Sequence, residues 1–258
     1  MAVWLSGWRR TVAGMHEPDR HAARTAYDAM AADYADRFKD TLEDRPVERG
    51  MLAAFAELVR RGPAGPVADL GCGPGHIAAH LHGLGLPVVG VDQSAEMLAL
   101  GRARYPQLGF VLGSIPHLGL ATGCCRAVLS RASIIHLPPA LLPAALDEFA
   151  RVLAPGGWLL LSFAAADGPE PPYAYYDHRV AAAYRWWPDY VLSLLSAAGI
   201  TETARLMENP EPDARRQFPV VFILARKAPG GTHHTDRANT ACHGARSRAD
   251  EINPGAFR

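Results

Sequence analysis

The chain has 258 residues and a mass of 27.8 kDa, which suits one large α/β domain with short appendages. Its 26 Lys and Arg residues balance 26 Asp and Glu residues, so the chain has no overall positive field to hold nucleic acid or an anionic membrane surface. Hydrophobic residues make up 49% of the chain and charged residues 20%, values that exclude a disordered protein and are typical of a folded core.

The two ends of the chain differ in composition from the middle. Residues 1–20 lack periodicity, so we expect a poorly ordered extension, with Met15 as an alternative start of translation. Residues 229–258 contain almost no large apolar side chains, which predicts a disordered tail in which His233 and His234 are solvated rather than bound to a metal.

The four cysteines form no CxxC pair and no disulfide framework, which favours a reducing compartment and no metal site. The N-terminal segment does not have the pattern of a secretory signal. No apolar run approaches the roughly 18 residues of a membrane-spanning helix. We therefore expect a cytoplasmic protein.

The regular pattern begins with Tyr27, Met30, Tyr34 and Phe38, whose spacings of three and four predict one amphipathic helix. A second helix is predicted over residues 46–61. Five short apolar runs separated by helical segments then follow, a pattern typical of buried parallel strands. These runs are residues 66–70, 87–91, 110–112, 126–130 and 158–164.

A helix between the fourth and fifth runs ends at the stop signal Pro155, Gly156 and Gly157. After it we predict a helix ending near Gly199 and strands at 200–206 and 218–225. Alternating strands and helices predict an α/β fold, a doubly wound seven-stranded sheet with helices on both faces. Ligands of such sheets bind at the carboxyl ends of the central strands, where the strand order reverses.

The first of these strand ends is followed by a glycine loop, in which Gly71, Gly73 and Gly75 lie just before a helix. Glycine lets the backbone turn sharply and approach a ligand closely. The spacing is GxGxG, and the Lys-Ser/Thr pair of triphosphate sites is absent, so phosphate binding is disfavoured. His76, at the start of the helix, is interpreted as a helix-start residue rather than a catalyst.

The second strand end carries Asp92, 21 residues after Gly71. A carboxylate there can accept hydrogen bonds from both hydroxyls of a ribose. Alone, it equally indicates a cap for a helix beginning at Ser94 or Ala95. At this separation from a glycine loop, ribose binding is favoured.

These two segments resemble class I S-adenosylmethionine (SAM) dependent methyltransferases, and the resemblance extends from about residue 26 to 227. The helix with Tyr27 and Tyr34 is similar to the family's cap over the cofactor, and residues 133–163 are similar to a bacterial small-molecule subgroup. The ending FPVVFILARK resembles the antiparallel last strand of this Rossmann-like fold. The resemblance implies SAM as cofactor, methyl transfer to O, N or C of a small organic molecule by in-line displacement, and a monomer or homodimer.

The resemblance also implies a set of cofactor-binding residues. Those around the methionine part of SAM are Asp69, Gly71, Cys72, Gly73 and Gly75. Asp92 would hold the ribose, while Gln93 and Met97 would lie near the adenine. Many members have an acidic residue that binds the adenine amino group where this chain has Ser114, so we expect a weaker hydroxyl contact or a backbone contact from Ser114 and Ile115.

The end of the fourth strand departs from the family pattern. Related sequences often carry an aromatic residue where this chain has Ser130, Arg131 and Ala132. Ser130 is placed with the cofactor-binding residues. Arg131 either brings a permanent charge to the substrate rim or pairs with a carboxylate on the capping helix.

His136 is the best-placed residue to take a proton from the acceptor, and it is the predicted catalytic residue. The alternative is a histidine that fixes its loop through a backbone hydrogen bond. Asp177 and His178 are alternates for proton transfer. A base is optional, since the SAM sulfonium is a strong methyl donor that chiefly requires alignment.

Aromatic residues are dense at about 170–190, which indicates a lid over the acceptor pocket or, alternatively, rings packed onto the sheet. Two other functions stay open. Ser114 and Arg131 motivate a non-catalytic SAM- or nucleoside-binding module. A nicotinamide-dependent oxidoreductase is disfavoured by the glycine spacing.

Overall fold

The computed structural model describes residues 18–38, 42–178, 180–212 and 217–230. Met15, His233, His234 and nearly all of the predicted end segments, 1–20 and 229–258, lie outside these residues. Within the described ranges no helix has the length and apolar character needed to cross a membrane.

The described residues form helices and strands that largely follow the predicted alternation. The helices are α1 (Pro18–Ala29), α2 (Ala31–Phe38), α3 (Pro46–Arg60), α4 (His76–Gly83), α5 (Ala95–Arg104), α6 (Leu142–Val152) and α7 (Pro188–Ala197). The strands are β1 (Val67–Leu70), β2 (Val88–Asp92), β3 (Gly109–Leu112), β4 (Cys125–Arg131), β5 (Leu153–Ala164), β6 (Tyr173–Tyr176), β7 (Ala183–Trp186), β8 (Ile200–Glu208) and β9 (Val220–Lys227).

The main sheet has seven strands in the order β3-β2-β1-β4-β5-β9-β8. Strands β1 to β5 pair in parallel, and β9 runs antiparallel to both β5 and β8. The predicted doubly wound sheet with an antiparallel last strand is therefore confirmed. Strand order reverses between β1 and β4, which places the ligand-binding edge of the sheet beside the ends of β1, β2 and β4.

Alternate residues of the central strands pack on opposite faces, because successive side chains of a strand point to opposite sides. Val67 and Leu129 belong to one core with the buried faces of α3 and α4. Ala68, Val128 and Leu161 belong to a second core with α6 and α7. Helices on both faces explain why these strands read as nearly continuous apolar runs.

The first predicted helix is interrupted. Met30 separates α1 from α2, although Tyr34 N still donates to Met30 O at 2.9 Å. Both helices pack on α5, and α1 packs in addition on the turn at Ile134–His136. The prediction of one continuous helix was therefore wrong, since tertiary contacts divide a pattern that is periodic throughout.

The aromatic segment forms a two-stranded antiparallel hairpin of β6 and β7, here called the aromatic hairpin. Tyr184 and Trp186 are fully buried against the core, whereas Tyr175 is 58% exposed. Trp186 Nε1 donates to the Ile134 carbonyl oxygen at 3.2 Å. Tyr184 and Trp186 therefore pack onto the sheet, as the alternative to a lid predicted. The aromatic hairpin supports the turn that carries His136.

Trp186→Phe is expected to lower the free energy of unfolding by about 1–3 kcal/mol, since the Ile134 carbonyl keeps only its bond from Leu137 N and the smaller ring leaves a gap in the core. Urea denaturation would measure this change. Tyr175→Phe, at an exposed position of the same hairpin, is the control and should stay within about 0.5 kcal/mol of the parent. Equal stability of the Trp186 variant and the parent would contradict the anchoring role.

Candidate active site

A cavity of about 140 Å³ opens where β1, β2 and β4 end, and α1 and α2 contribute to its wall. The structure brings together all the predicted site residues except Gly75 and Ser130. The predicted residues that line the cavity are Tyr27, Tyr34, Asp69, Gly71, Cys72, Gly73, Asp92, Gln93, Met97, Ser114, Ile115 and His136. The order of the strands explains why these residues, which are far apart in the sequence, lie around one cavity.

The glycine loop and Asp92 are joined directly. Gly73 N donates to Asp92 Oδ2 at 2.7 Å, and Ser94 N donates to Asp92 Oδ1 at 2.9 Å. Ser94 caps α5, because its Oγ accepts from Met97 N at 3.1 Å. Asp92 therefore braces the loop and the start of α5 without capping the helix itself. Burial raises the Asp92 pKa, and the backbone hydrogen bonds from Ser94 and Gly73 oppose that rise.

Gly71 allows the loops after β1 and β4 to approach each other. Its φ is +79°, and an added Cβ would lie 2.3 Å from Ser133 Cβ. Ser133 Oγ donates to the Leu70 carbonyl at 2.9 Å and lies 2.5 Å from Ser130 Oγ. Ser130 is fully buried and does not line the cavity, and its predicted contact with the cofactor stays a prediction.

The other two loop glycines have different surroundings. A Cβ on Gly73 would meet only Tyr34 Cε1, at 3.9 Å, so this position faces the open cavity. A Cβ on Gly75 would lie 2.6 Å from Phe110 Cζ. Gly75 therefore allows close packing at the start of α4 and does not line the cavity, so its cofactor contact stays a prediction.

Arg131 pairs with a buried carboxylate. Its Nε and Nη2 donate to the two Glu48 carboxylate oxygens, the second at 3.1 Å, and only 3% of the Glu48 side chain is exposed. Burial alone would lower the Arg131 pKa, but Glu48 outweighs burial and raises it. The pairing alternative thus holds for Arg131, with the carboxylate on α3 rather than on the predicted capping helix.

Two buried polar side chains of the cavity wall lack hydrogen-bond partners among the described residues: Asp69, at Oδ2, and His76, at both ring nitrogens. Burial, with help from Asp92, raises the Asp69 pKa to about 7, although Arg131 opposes the rise. Burial lowers the His76 pKa to about 4. His76 begins α4 as predicted, yet it also faces the cavity. An unpaired buried polar group costs about 1–3 kcal/mol, so this wall suits a polar ligand.

His136 lies at another part of the cavity. Its Nε2 is 2.8 Å from Tyr27 Oη, and its Nδ1 is 3.0 Å from the Ala182 carbonyl oxygen. The hydrogen bond to the Ala182 backbone is the contact that the alternative interpretation predicted for fixing the loop. The His136 ring also lines the cavity. Burial lowers the His136 pKa to about 4. His178 lines the cavity beside His136, with ring centroids 5.0 Å apart, whereas the alternate Asp177 is exposed and outside it.

Among the residues of the site that were not predicted, four have a specific contact or an unusual backbone conformation. Asp28 accepts a 2.5 Å hydrogen bond from Ser94 Oγ, which ties α1 to the end of β2. Glu48 and Ser133 support the end of β4, Glu48 by binding Arg131 and Ser133 by bonding to Leu70. No motif in the sequence around either residue indicates this role. Ala132 lines the cavity with φ +50°, a left-handed conformation that side chains seldom adopt and that recurs at ligand sites.

Glu48→Gln is expected to lower the free energy of unfolding by about 3–5 kcal/mol, since it leaves the Arg131 charge buried without its partner. The double variant Glu48→Leu/Arg131→Met, which removes both charges, should recover most of that loss. Chemical denaturation of the two variants and the parent measures both effects. A single variant as stable as the parent would contradict the buried pair.

His136 is expected to titrate near pH 4 rather than at its ordinary value of 6.5. Because the folded-state pKa is the lower one, the unfolded chain binds this proton more readily, and the histidine's contribution to stability is lost as pH falls from about 6.5 to about 4. Side-chain NMR measures the pKa directly. Between pH 6.5 and 4, the free energy of unfolding should fall less for His136→Asn than for the parent. A His136 pKa near 6.5 by NMR would contradict the lowering of the pKa by burial.

Residues 67–157 match the family model described as a methyltransferase domain. The chain is 34% identical over 164 residues to a demethylmenaquinone methyltransferase of Beutenbergia cavernae, a match that covers 62% of this chain and 64% of the relative. It is 37% identical over 103 residues to a malonyl-[acyl-carrier protein] O-methyltransferase of Pectobacterium atrosepticum, covering 40% of this chain and 39% of the relative. The chain thus spans less than two thirds of the length of these relatives.

Among solved structures, the fold is similar to a 1,6-didemethyltoxoflavin-N1-methyltransferase of Burkholderia thailandensis, crystallised with 1,6-didemethyltoxoflavin and S-adenosylhomocysteine. The TM-score is 0.63 at 22% identity, with 83% of this chain and 92% of that chain covered. At this identity the likeness concerns the fold alone. Residues 67–157 thus form a methyltransferase domain, and the sequence of this chain is similar to those of methyltransferases that act on small molecules.

Proposed function

We propose that the protein is a SAM-dependent methyltransferase that transfers a methyl group to O, N or C of a small organic molecule. The observation that carries this proposal is the hydrogen bond from Gly73 N to Asp92 Oδ2, which fixes the glycine loop beside a carboxylate that lines the same cavity and could bind a ribose. The methyltransferases that the chain resembles in sequence support the same reaction class. The proposed partner is a small-molecule acceptor, and the proposed setting is a cytoplasmic monomer or homodimer.

The ribose contact is compatible with the bonds that Asp92 already makes. Each carboxylate oxygen has two acceptor positions, and each accepts one backbone N–H, from Gly73 or from Ser94. The backbone of Gln93 also contributes a hydrogen bond, and the carboxylate keeps acceptor capacity for a ribose hydroxyl. Because the bond would go to a charged acceptor, this contact would be strong.

The cavity wall also suits the amino-acid part of SAM. Asp69 Oδ2 can accept from an ammonium group, and the His76 ring nitrogens can bond a polar group of the ligand. Gly73 leaves room for close approach to the backbone. These residues fit a ligand with both a charged end and a nucleoside.

The adenine would lie near Gln93, Met97, Ser114 and Ile115, all of which line the cavity. Met97 is 1% exposed and offers an apolar surface. Ser114 cannot match the charge-assisted bond of the acidic residue seen in many family members. We therefore propose that adenine is held chiefly by packing and backbone contacts.

When bound, SAM supplies an electrophilic methyl group. The chain then has to hold the acceptor in line with that group and exclude water, since alignment accounts for a large part of the rate. Tyr27, Ile135, His136, Leu137 and His178 form the wall suited to the acceptor. Its rings and aliphatic side chains favour a small, partly apolar molecule.

Asp92→Ala is expected to weaken the binding of SAM and S-adenosylhomocysteine by about 1–3 kcal/mol, the scale for losing hydrogen bonds to a charged group. Isothermal titration calorimetry measures this loss. Asp147→Ala, which removes an exposed carboxylate of α6 outside the cavity, is the matched control and should bind as the parent does. Unchanged affinity of the Asp92 variant would refute the ribose assignment.

Turnover against a panel of phenols, amines and carboxylates, with product masses recorded, tests the transfer itself. A mass increase by one methyl group together with S-adenosylhomocysteine formation is the expected result. Tight SAM binding without transfer to any acceptor would favour the non-catalytic binding module instead.

A further inference from the structure

The hydrogen bonds of His136 determine which of its nitrogens carries the proton. A backbone carbonyl can only accept, so Nδ1 must donate to the Ala182 oxygen. In a neutral imidazole the other nitrogen is then an acceptor, so Nε2 accepts the Tyr27 hydroxyl proton. The Tyr27 hydroxyl therefore donates its proton to His136 Nε2, and it has no second proton to donate to a ligand.

Tyr27 consequently presents lone pairs rather than a proton to the cavity that it lines. Among the described residues, no donor is paired with its oxygen. An oxygen of this kind binds a molecule that brings an O–H or N–H group. Burial raises the Tyr27 pKa, and Tyr34, Asp92 and Tyr176 add to this rise, so the hydroxyl stays protonated.

We propose that the methyl acceptor is a protic nucleophile, a hydroxyl or an N–H compound, whose X–H group donates to Tyr27 Oη. This inference rests on the proposed methyltransferase function and assigns its substrate class. Tyr27, predicted from the sequence as a cofactor contact, is then the residue that touches the acceptor, and His136 acts through it.

The proton balance of the step is as follows. The nucleophile X forms its bond to the methyl carbon as the carbon–sulfur bond breaks, and the X–H proton passes to Tyr27 Oη. The original Tyr27 proton passes to His136 Nε2, so Tyr27 stays neutral and His136 becomes an imidazolium. The positive charge lost at sulfur is matched by the charge gained at His136, and the net charge of the site is unchanged.

A weakly basic histidine is sufficient for such a step. Burial keeps His136 neutral at physiological pH, so its Nε2 lone pair is available to Tyr27. The oxonium that forms on methylation of a hydroxyl is a far stronger acid than an imidazolium, so the transfer is downhill. A carbon nucleophile lacks a comparable hydrogen-bond donor and would gain little from this arrangement.

The first test uses binding and does not depend on turnover. The full chain, loaded with S-adenosylhomocysteine and labelled with 15N in its histidines, is titrated with catechol and with 1,2-dimethoxybenzene, and then with aniline and N,N-dimethylaniline. Catechol or aniline should shift the His136 Nε2 resonance in the parent and fail to do so in Tyr27→Phe, while the blocked compounds leave it unchanged. The inference is overturned if neither protic probe shifts this resonance or if the blocked probes shift it equally.

The second test follows transfer to whichever probe the parent methylates. Tyr27→Phe and His136→Asn should lower kcat by roughly 10²-fold, the scale of a lost proton acceptor, with KM for SAM within about threefold of the parent. His136→Asn retains an N–H for the Ala182 carbonyl, so loop support is preserved. Tyr175→Phe, exposed on the aromatic hairpin, should turn over as the parent does.

The pH profile separates proton transfer from support of the fold. Parent kcat should decline at acidic pH as His136 is protonated, and this limb should be absent in His136→Asn. The groups that face the pair are Tyr34, Asp92, Tyr176 and His178, so His178→Asn should retain the limb. Unchanged kcat in Tyr27→Phe, or methylation at carbon, would overturn the inference, whereas failure to bind S-adenosylhomocysteine by calorimetry would overturn the proposed function instead.

Discussion

A hydrogen bond between backbone and side chain organises the site: Gly73 N donates to Asp92 Oδ2 across the ends of two neighbouring parallel strands. It holds the glycine loop open beside a carboxylate, and the second Asp92 oxygen binds Ser94, which caps α5. Ser94 in turn donates to Asp28 on α1. The cap over the cavity is therefore tied to the same carboxylate that is proposed to hold the ribose.

The opposite side of the cavity depends on β4, whose end is braced in two ways. Arg131 is neutralised by Glu48, so its charge does not dominate the wall, and Ser133 bonds back to the end of β1. The turn that follows carries His136, which links α1 through Tyr27 and the aromatic hairpin through Ala182. The proposed cofactor and acceptor regions thus share α1.

The doubly wound sheet and the position of the cavity were predictable, because short apolar runs, glycine spacing and Asp92 are local signals whose places in this fold class are known. The break at Met30 was not, since the periodicity continues through it. The Glu48 partner of Arg131 was also unpredictable: the two residues are 83 positions apart and only the fold brings them together. The burial of Ser130 was also not predictable, because the resemblance named its position but not the face of β4 on which its side chain lies.

A crystal structure with bound S-adenosylhomocysteine is the most direct measurement of this account. It should have both ribose hydroxyls on the Asp92 carboxylate, with Gly73 N still bonded to Oδ2, and the sulfur on the side of Tyr27. A nucleoside bound away from Asp92, or a glycine loop that abandons the carboxylate on binding, would contradict it.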